Sequence, residues 1–207
     1  MIARTVQQAV GATHRPTVHL HGRLFLTQVV GGRYDDVEID VRPLNSGPLR
    51  IADVHADLHG VYLAYHDVLL DNARRIVIDD SHESVTLRYP DLNSYLTAVG
   101  DRLTLASGQG RQLRLTGTVQ VLGRSVSASA DVKVSAANDA IDITPTQFET
   151  GNAGLDSLSR ALLGQRFTLH ISLQALPFGQ HLTRIDTGRD GITVHADGSS
   201  VVISTGN

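Results

Sequence analysis

The stretch Leu24–Val41 reads LFLTQVVGGRYDDVEIDV and places a short helix directly before a strand. Leu26, Val29 and Val30 are three and four residues apart, a spacing that gives a helix one apolar face. The two glycines that follow can end such a helix, since glycine adopts the left-handed conformation without a steric penalty. From Val37 onward, apolar and charged residues alternate, which is typical of a half-buried strand.

The same alternation recurs along most of the chain, in segments separated by short turns. Strands joined by short turns pair in antiparallel fashion, so the pattern predicts antiparallel sheet. The phase of the alternation shifts near Asp53 and again near Gly60, which predicts irregularities that bend a long strand. The apolar positions of the alternating runs are Val18 and Leu20; Leu49 and Ile51; Val54, Ala56 and Leu58; Val85 and Leu87; Leu113 and Leu115; Val126, Ala128, Ala130, Val132 and Val134; Ile141 and Ile143; Phe167, Leu169, Ile171 and Leu173; and Ile192, Val194 and Ala196.

Three segments show the spacing of short helices instead: 24–30, 90–99 and 155–163. Pro90 suits a first helical turn, where its missing N–H needs no partner, and Gly164 is the predicted stop of the third helix. The apolar faces predicted for the second and third helices are Leu92, Tyr95, Leu96 and Val99, and Leu155, Leu158 and Leu162. Helices with one apolar face must lie against the sheet, so the predicted fold class is α+β.

The composition indicates a single domain over residues 1–207, because no linker-like segment divides the chain. The net charge is −3 and no basic run occurs, which argues against a nucleic-acid-binding surface. The chain contains no cysteine, so neither disulfides nor thiolate metal sites can form. Aromatic residues make up 4% and tryptophan is absent, so the interior must be built mainly from small aliphatic side chains.

Three blocks of sequence, 24–37, 89–96 and 176–183, resemble the LmeA family of actinobacterial envelope phospholipid-binding proteins in their order and spacing. The resemblance implies a phospholipid-binding protein outside the cytoplasmic membrane. It also implies a tubular lipid-binding (BPI-like) architecture, in which a long curved antiparallel sheet wraps around a few short helices. At least one family member has phospholipase A activity, but no catalytic residues can be carried over to this chain.

An interior of small aliphatic residues can leave an elongated apolar slot between sheet and helices, and acyl chains would fit such a slot. Each buried methylene contributes about 0.8 kcal/mol, so ten carbons offer roughly 8 kcal/mol before the entropy cost of binding. Small aliphatic residues also pack well without a ligand, and the composition leaves both interpretations open. The residues predicted to contact lipid are Phe25, Leu26, Val29, Tyr34, Leu92, Tyr95, Leu96, Leu158, Leu162 and Phe178.

The polar residues give no catalytic or metal signature. The G-x-S-x-G elbow of lipases is absent, and no residue is assigned a catalytic role. Asp53 with His55, and Asp80 with His82, are acid–imidazole pairs two residues apart, a spacing that is also common on exposed strand faces. The histidines occupy the solvent side of the alternation, so we predict neither a metal nor a cofactor. Arg33 and Arg184 are candidates for a phosphate contact, with a solvated surface position as the alternative.

Three hypotheses follow for function. The first is a phospholipid binder of the cell envelope, in contact with the membrane surface; the second is a phospholipase A that supports lipoglycan synthesis; the third is a structural scaffold without a ligand. Residues 1–6 lack the apolar run of a signal peptide or membrane span. Because the resemblance implies an N-terminal export or anchor segment, we expect the full-length protein to carry one before this sequence, with Met1 added.

Overall fold

The computed structural model describes residues 15–22, 25–63, 66, 75–108, 112–137, 140–150, 157–173 and 181–204. The strands in these residues are β1 (Thr17–His21), β2 (Arg33–Val41), β3 (Leu44–Ser46), β4 (Leu49–Ile51), β5 (Asp53–Tyr62), β6 (Arg75–Arg88), β7 (Leu103–Ser107), β8 (Leu113–Val121), β9 (Arg124–Ala137), β10 (Ala140–Thr150), β11 (Leu169–Ser172), β12 (His181–Thr187) and β13 (Gly191–Ser204). The described helices are α1 (Phe25–Gly31), α2 (Tyr89–Ala98) and α3 (Ser157–Arg166).

Six strands form the large sheet, in the order β1-β2-β5-β6-β13-β12. Five others form the small sheet, in the order β11-β10-β9-β8-β7, and β3 pairs with β4 as a separate hairpin. All neighbouring strands run antiparallel. The predicted α+β class is therefore confirmed as a mostly antiparallel β-structure with a curled sheet and a few short helices.

Each sheet buries one face, because apolar and polar residues alternate along its strands. In the large sheet, Val85 and Leu87 of β6 are buried, and in the small sheet Leu113 and Leu115 of β8 are buried. These faces belong to one continuous hydrophobic core, which Leu92 of α2 also joins. Burial of this core is the main stabilising contribution to the fold.

Along β5 of the large sheet, the alternation of buried and exposed residues shifts by one position at Gly60. Leu58 and Val61 are both buried although they are three positions apart, and Gly60 adopts a positive φ of 62°. On β13, Ser200 also has a positive φ, 53°, and its neighbour Val201 pairs with Ile78 of β6. The predicted irregularity near Gly60 is confirmed, and the one near Asp53 corresponds to the break between β4 and β5.

Gly60→Ala is expected to lower the free energy of unfolding by about 1–2 kcal/mol through the positive φ, and further because its Cβ would overlap the Asp79 carboxylate. Gly47→Ala is a matched control, since Gly47 has a φ of 56° but open space around it. Urea unfolding of both variants, and of Gly60→Ala combined with Asp79→Ala, separates the two contributions. Equal losses for the two single variants would show that the overlap has no cost.

The first two helices follow their predictions closely. Helix α1 ends at Gly31, followed by Gly32 with a φ of 65°, so the predicted glycine stop is confirmed. Helix α2 carries a proline in its first turn and buries Leu92 and Leu96. Val99 was predicted on the same apolar face, but this is wrong, because Val99 lies beyond the end of the helix and is half exposed.

Helix α3 differs more from its prediction. It continues through Gly164 to Arg166, because the buried Phe167 follows and its N–H bonds back to the carbonyl groups of Leu163 and Gly164. Leu163 is fully buried, whereas Leu158 is 58% exposed, so the predicted face through Leu158 is wrong. The contact of α3 with β8, together with the buried Phe167, directs Leu163 rather than Leu158 toward the core. Leu155, the other predicted member, lies outside the described residues.

No helix in the described ranges has both the length and the apolar character needed to span a membrane.

Candidate functional site

The inner face of the large sheet is an apolar surface within the core. Its residues come from β2, β5, β6 and β13 and lie in register across the sheet. They are Val37, Ile39, Val41, Val54, Ala56, Leu58, Val85, Leu87, Ile192, Val194 and Ala196, each no more than 5% exposed. Leu92 and Leu96 of α2 belong to the same core. We refer to this surface as the inner face.

Glu83 interrupts the inner face with a carboxyl group. It lies on β6 between Ala56 of β5 and Ala196 of β13 and is 3% exposed. Neither carboxyl oxygen has a hydrogen-bond partner. Burial raises the pKa of Glu83 from 4.5 to about 8, because the charged form loses its water shell without gaining a partner. Glu83 is therefore mostly a neutral carboxylic acid at pH 7.

Ser81 lies two residues before Glu83 and shares its face. Its side chain is fully buried, and its Oγ donates to the carbonyl oxygen of Gly198 at 3.4 Å. Ser81 and Glu83 are the buried polar or charged residues in the described part of the chain. The inward position of Ser81 and Glu83 could have been predicted from the sequence, because the alternation that buries Val85 and Leu87 extends back to residues 83 and 81.

The residues predicted to contact lipid fall into four groups: buried, half-buried, exposed and not described. Tyr34, Leu92 and Leu96 are buried in the core. Val29, Tyr95 and Leu162 are half-buried and pack against it, whereas Leu158 is exposed. The side chains of Phe25 and Leu26, and the whole of Phe178, lie outside the described residues. The structure thus brings six of the predicted residues to one core, and their contact with lipid stays a prediction.

Among the surface pockets formed by described residues are three that differ from the predicted apolar slot. One of them, of about 730 Å³, lies along β13 and includes Asp80, His82 and Asp197. A second, about 350 Å³, includes His55, Asp57 and His195. The third lies on the small sheet and includes Thr116 and Ser127 among hydroxyl-bearing residues. These pockets are lined largely by polar residues, unlike the inner face.

The outer face of the large sheet carries histidines paired with carboxylates across neighbouring strands. His59 Nδ1 lies 2.5 Å from Asp36 Oδ1, and His82 Nδ1 lies 2.8 Å from Asp197 Oδ1. The pairs considered from the sequence joined residues along one strand instead. In the structure His82 contacts Asp197 rather than Asp80, and Asp53 accepts a hydrogen bond from Arg42 at 2.7 Å. Cross-strand pairs depend on register, so spacing along one strand could not reveal them.

Glu38, Asp40 and His55 place three potential ligand atoms within 4.8 Å of one another. Both ring nitrogens of His55 already contact carboxylates, Nδ1 at 3.1 Å from Asp40 and Nε2 at 3.3 Å from Asp57. Partial burial lowers the pKa of His55, but the hydrogen bond to Asp40 and the nearby charges of Asp57 and Glu38 outweigh it, so the pKa is raised. These contacts occupy both ring nitrogens of His55 with ion pairs to neighbouring carboxylates.

A comparison with protein families matches residues 1–197 to the LmeA-like phospholipid-binding family. The chain belongs to this family. The resemblance of the three sequence blocks is therefore confirmed, and the family supports phospholipid binding by this protein. Neither the curated proteins nor the solved structures that were compared gave a match.

The phosphate of a phospholipid could be bound by an arginine, and the two candidates from the sequence, Arg33 and Arg184, both lie beside carboxylates. The Arg33 guanidinium lies over the Tyr62 ring, 5.0 Å from its centroid, and 3.9 Å from Asp79. The Arg184 guanidinium lies 3.0 Å from Asp186. Both arginines are more than half exposed and lie beside carboxylates. This geometry fits the interpretation that both arginines are solvated surface residues. It does not dedicate either of them to a phosphate contact.

Proposed function

We propose that the protein is a phospholipid-binding protein of the cell envelope that holds acyl chains against the inner face, in a tubular architecture similar to other lipid-binding domains. The family match over residues 1–197 carries the proposal. The inner face supports it, because it offers a continuous apolar surface several strands wide. The headgroup would then lie at the margin of the core, where water and the membrane surface can reach it.

Transfer of an acyl chain to an apolar surface is favourable by about 0.8 kcal/mol for each methylene removed from water. The residues of the inner face are buried, so an acyl chain would make its first contact at the margin of the core and reach the inner face from there. Val29, Tyr95 and Leu162 occupy this margin, since each is half-buried and packs against the core. Of the lipid contacts predicted from the sequence, these are the three at the margin, where an acyl chain could touch them directly.

The position of the histidines favours binding over hydrolysis. A general base must lie within hydrogen-bond reach of the proton that it abstracts, here that of a water molecule beside the ester. In the described ranges every histidine is exposed or half-buried, and the imidazole–carboxylate pairs of the large sheet lie opposite the inner face. An ester group held at the inner face would therefore be remote from these imidazoles. We propose phospholipid binding without hydrolysis as the function.

Purified protein is expected to carry phospholipid, which organic extraction and mass spectrometry would identify. Incubation with defined phospholipid is expected to return it intact, whereas released fatty acid would indicate a phospholipase A. Absence of lipid from protein prepared without detergent and exposed to phospholipid vesicles would contradict the proposal. Fractionation of the native cells tests the envelope location separately.

Helix α1 offers a matched pair of variants. Val29→Asp is expected to reduce the bound phospholipid per protein at least severalfold, because a carboxylate at the margin of the core opposes contact with an acyl chain. Val30→Asp is expected to leave the amount unchanged, since Val30 is 75% exposed. Lipid quantification, with circular dichroism as a check on folding, measures both. Equal lipid content in the two variants would contradict a role for this margin.

A further inference from the structure

Glu83 differs from every other described carboxylate in being both buried and unpartnered. Its side chain is 3% exposed, and the residues opposite it on the two neighbouring strands are Ala56 and Ala196. The side chains directly opposite Glu83 are therefore methyl groups, which offer its carboxyl group no hydrogen-bond partner.

A buried polar group without a partner is costly, and buried polar groups in proteins are normally hydrogen-bonded. An apolar residue at this position would complete the inner face at no such cost, as Val85 and Leu87 do on the same strand. The fold itself thus gives no reason for a carboxyl group here. A ligand that brings its own polar atom to the inner face would supply the missing partner.

We propose that Glu83 donates a hydrogen bond to a carbonyl oxygen of an acyl lipid bound at the inner face. The inference rests on the proposed function and adds the polar contact that positions the lipid. A carbonyl oxygen is the acceptor nearest to the acyl chains, whereas a charged phosphate would be very costly in this apolar environment. The raised pKa of Glu83, about 8, supports the donor role, because the protonated acid carries the O–H that donates.

The carbonyl can belong to an ester of a diacyl phospholipid or to a free fatty acid. Three probes separate these sources: dipalmitoyl phosphatidylglycerol, its dihexadecyl ether analogue, which lacks both carbonyls, and palmitic acid. Binding of each is measured for the wild-type protein and for Glu83→Gln and Glu83→Leu. Glutamine keeps an N–H donor, whereas leucine has similar bulk and no polar atom.

The wild-type protein and Glu83→Gln are expected to bind the diester roughly tenfold more tightly than the diether, as one buried hydrogen bond would give. Glu83→Leu is expected to bind the two equally. Val85→Ala is the control, because it changes the shape of the same face without removing a polar group and should change both affinities alike. If only palmitic acid depends on Glu83, the contact is to a fatty-acid carboxyl.

Equal affinities of the wild-type protein for diester and diether, together with palmitic acid binding that Glu83→Leu leaves unchanged, would overturn the inference and leave the proposed function standing. Failure of the wild-type protein to bind any of the three lipids would overturn the proposed function as well. The folding of each variant is checked by thermal unfolding, and Glu83→Leu is expected to be at least as stable as the wild type.

Discussion

Raising the pH is expected to destabilise the wild-type protein relative to Glu83→Gln, by a difference on the order of 4 kcal/mol. The folded protein holds the proton of Glu83 with a pKa of about 8, against an ordinary value of 4.5. Between these values the folded state binds more protons than the unfolded state, so stability falls as the pH rises. The contribution is fully present below pH 4.5 and is lost by about pH 8.

The measurement is the free energy of unfolding in urea at about pH 5 and about pH 9, for the wild type and for Glu83→Gln. The difference between the two proteins removes the contribution of the histidines, which both share. Ser81→Ala is the control, because it changes the same buried row without removing a titrating group. A wild-type to Glu83→Gln difference that stays constant with pH would show that Glu83 is not buried as described.

Phe167→Ala is expected to lower the free energy of unfolding by about 3–5 kcal/mol, the cost of removing a large buried aromatic side chain. Phe167 is fully buried and packs edge-to-face against Phe148, with 5.6 Å between ring centroids. It follows α3 directly, so its loss also loosens that helix from the small sheet. Urea unfolding measures the change.

Leu158→Ala is the matched control on α3 itself. Leu158 is 58% exposed, so its truncation is expected to change the free energy of unfolding by less than about 0.5 kcal/mol. The two variants together test how α3 is oriented. A loss at Leu158 as large as that at Phe167 would restore the apolar face predicted from the sequence and contradict the structure.

The alternation of apolar residues was enough to predict antiparallel sheet, since one buried face forces a period of two on every strand. Glycine chemistry likewise predicted the end of α1 and the irregularity at Gly60, because both depend on a local positive φ. The order of strands in the large sheet could not be predicted in this way. Strand β13 pairs with β6, more than a hundred residues earlier, and such pairing follows from the packing of the whole core.

The residues of the candidate site divide in the same way, into those placed by local spacing and those placed by packing between distant segments. Burial of Leu92 and Leu96 followed from their helical spacing, whereas the exposure of Leu158 depends on how α3 meets β8. The contact between His82 and Asp197 needs a register that joins distant strands. Glu83 was within reach of sequence reasoning, because it continues the buried phase of Val85. Because glutamate is rarely buried, the apolar pattern alone favours ending the buried run at Val85, although buried carboxyl groups often mark functional sites.

If phospholipid acyl chains lie against the inner face of the large sheet, a spin label on the lipid must come close to the buried methyl groups of that face. Methyl-resolved NMR with a phosphatidylglycerol that carries a nitroxide near the ester end of one acyl chain measures this approach. Strong broadening of the Ala56 and Ala196 methyl signals is expected, with little change at the exposed Leu122 and Val202. Broadening confined to exposed residues, with Ala56 and Ala196 unaffected, would show that the lipid does not reach the inner face.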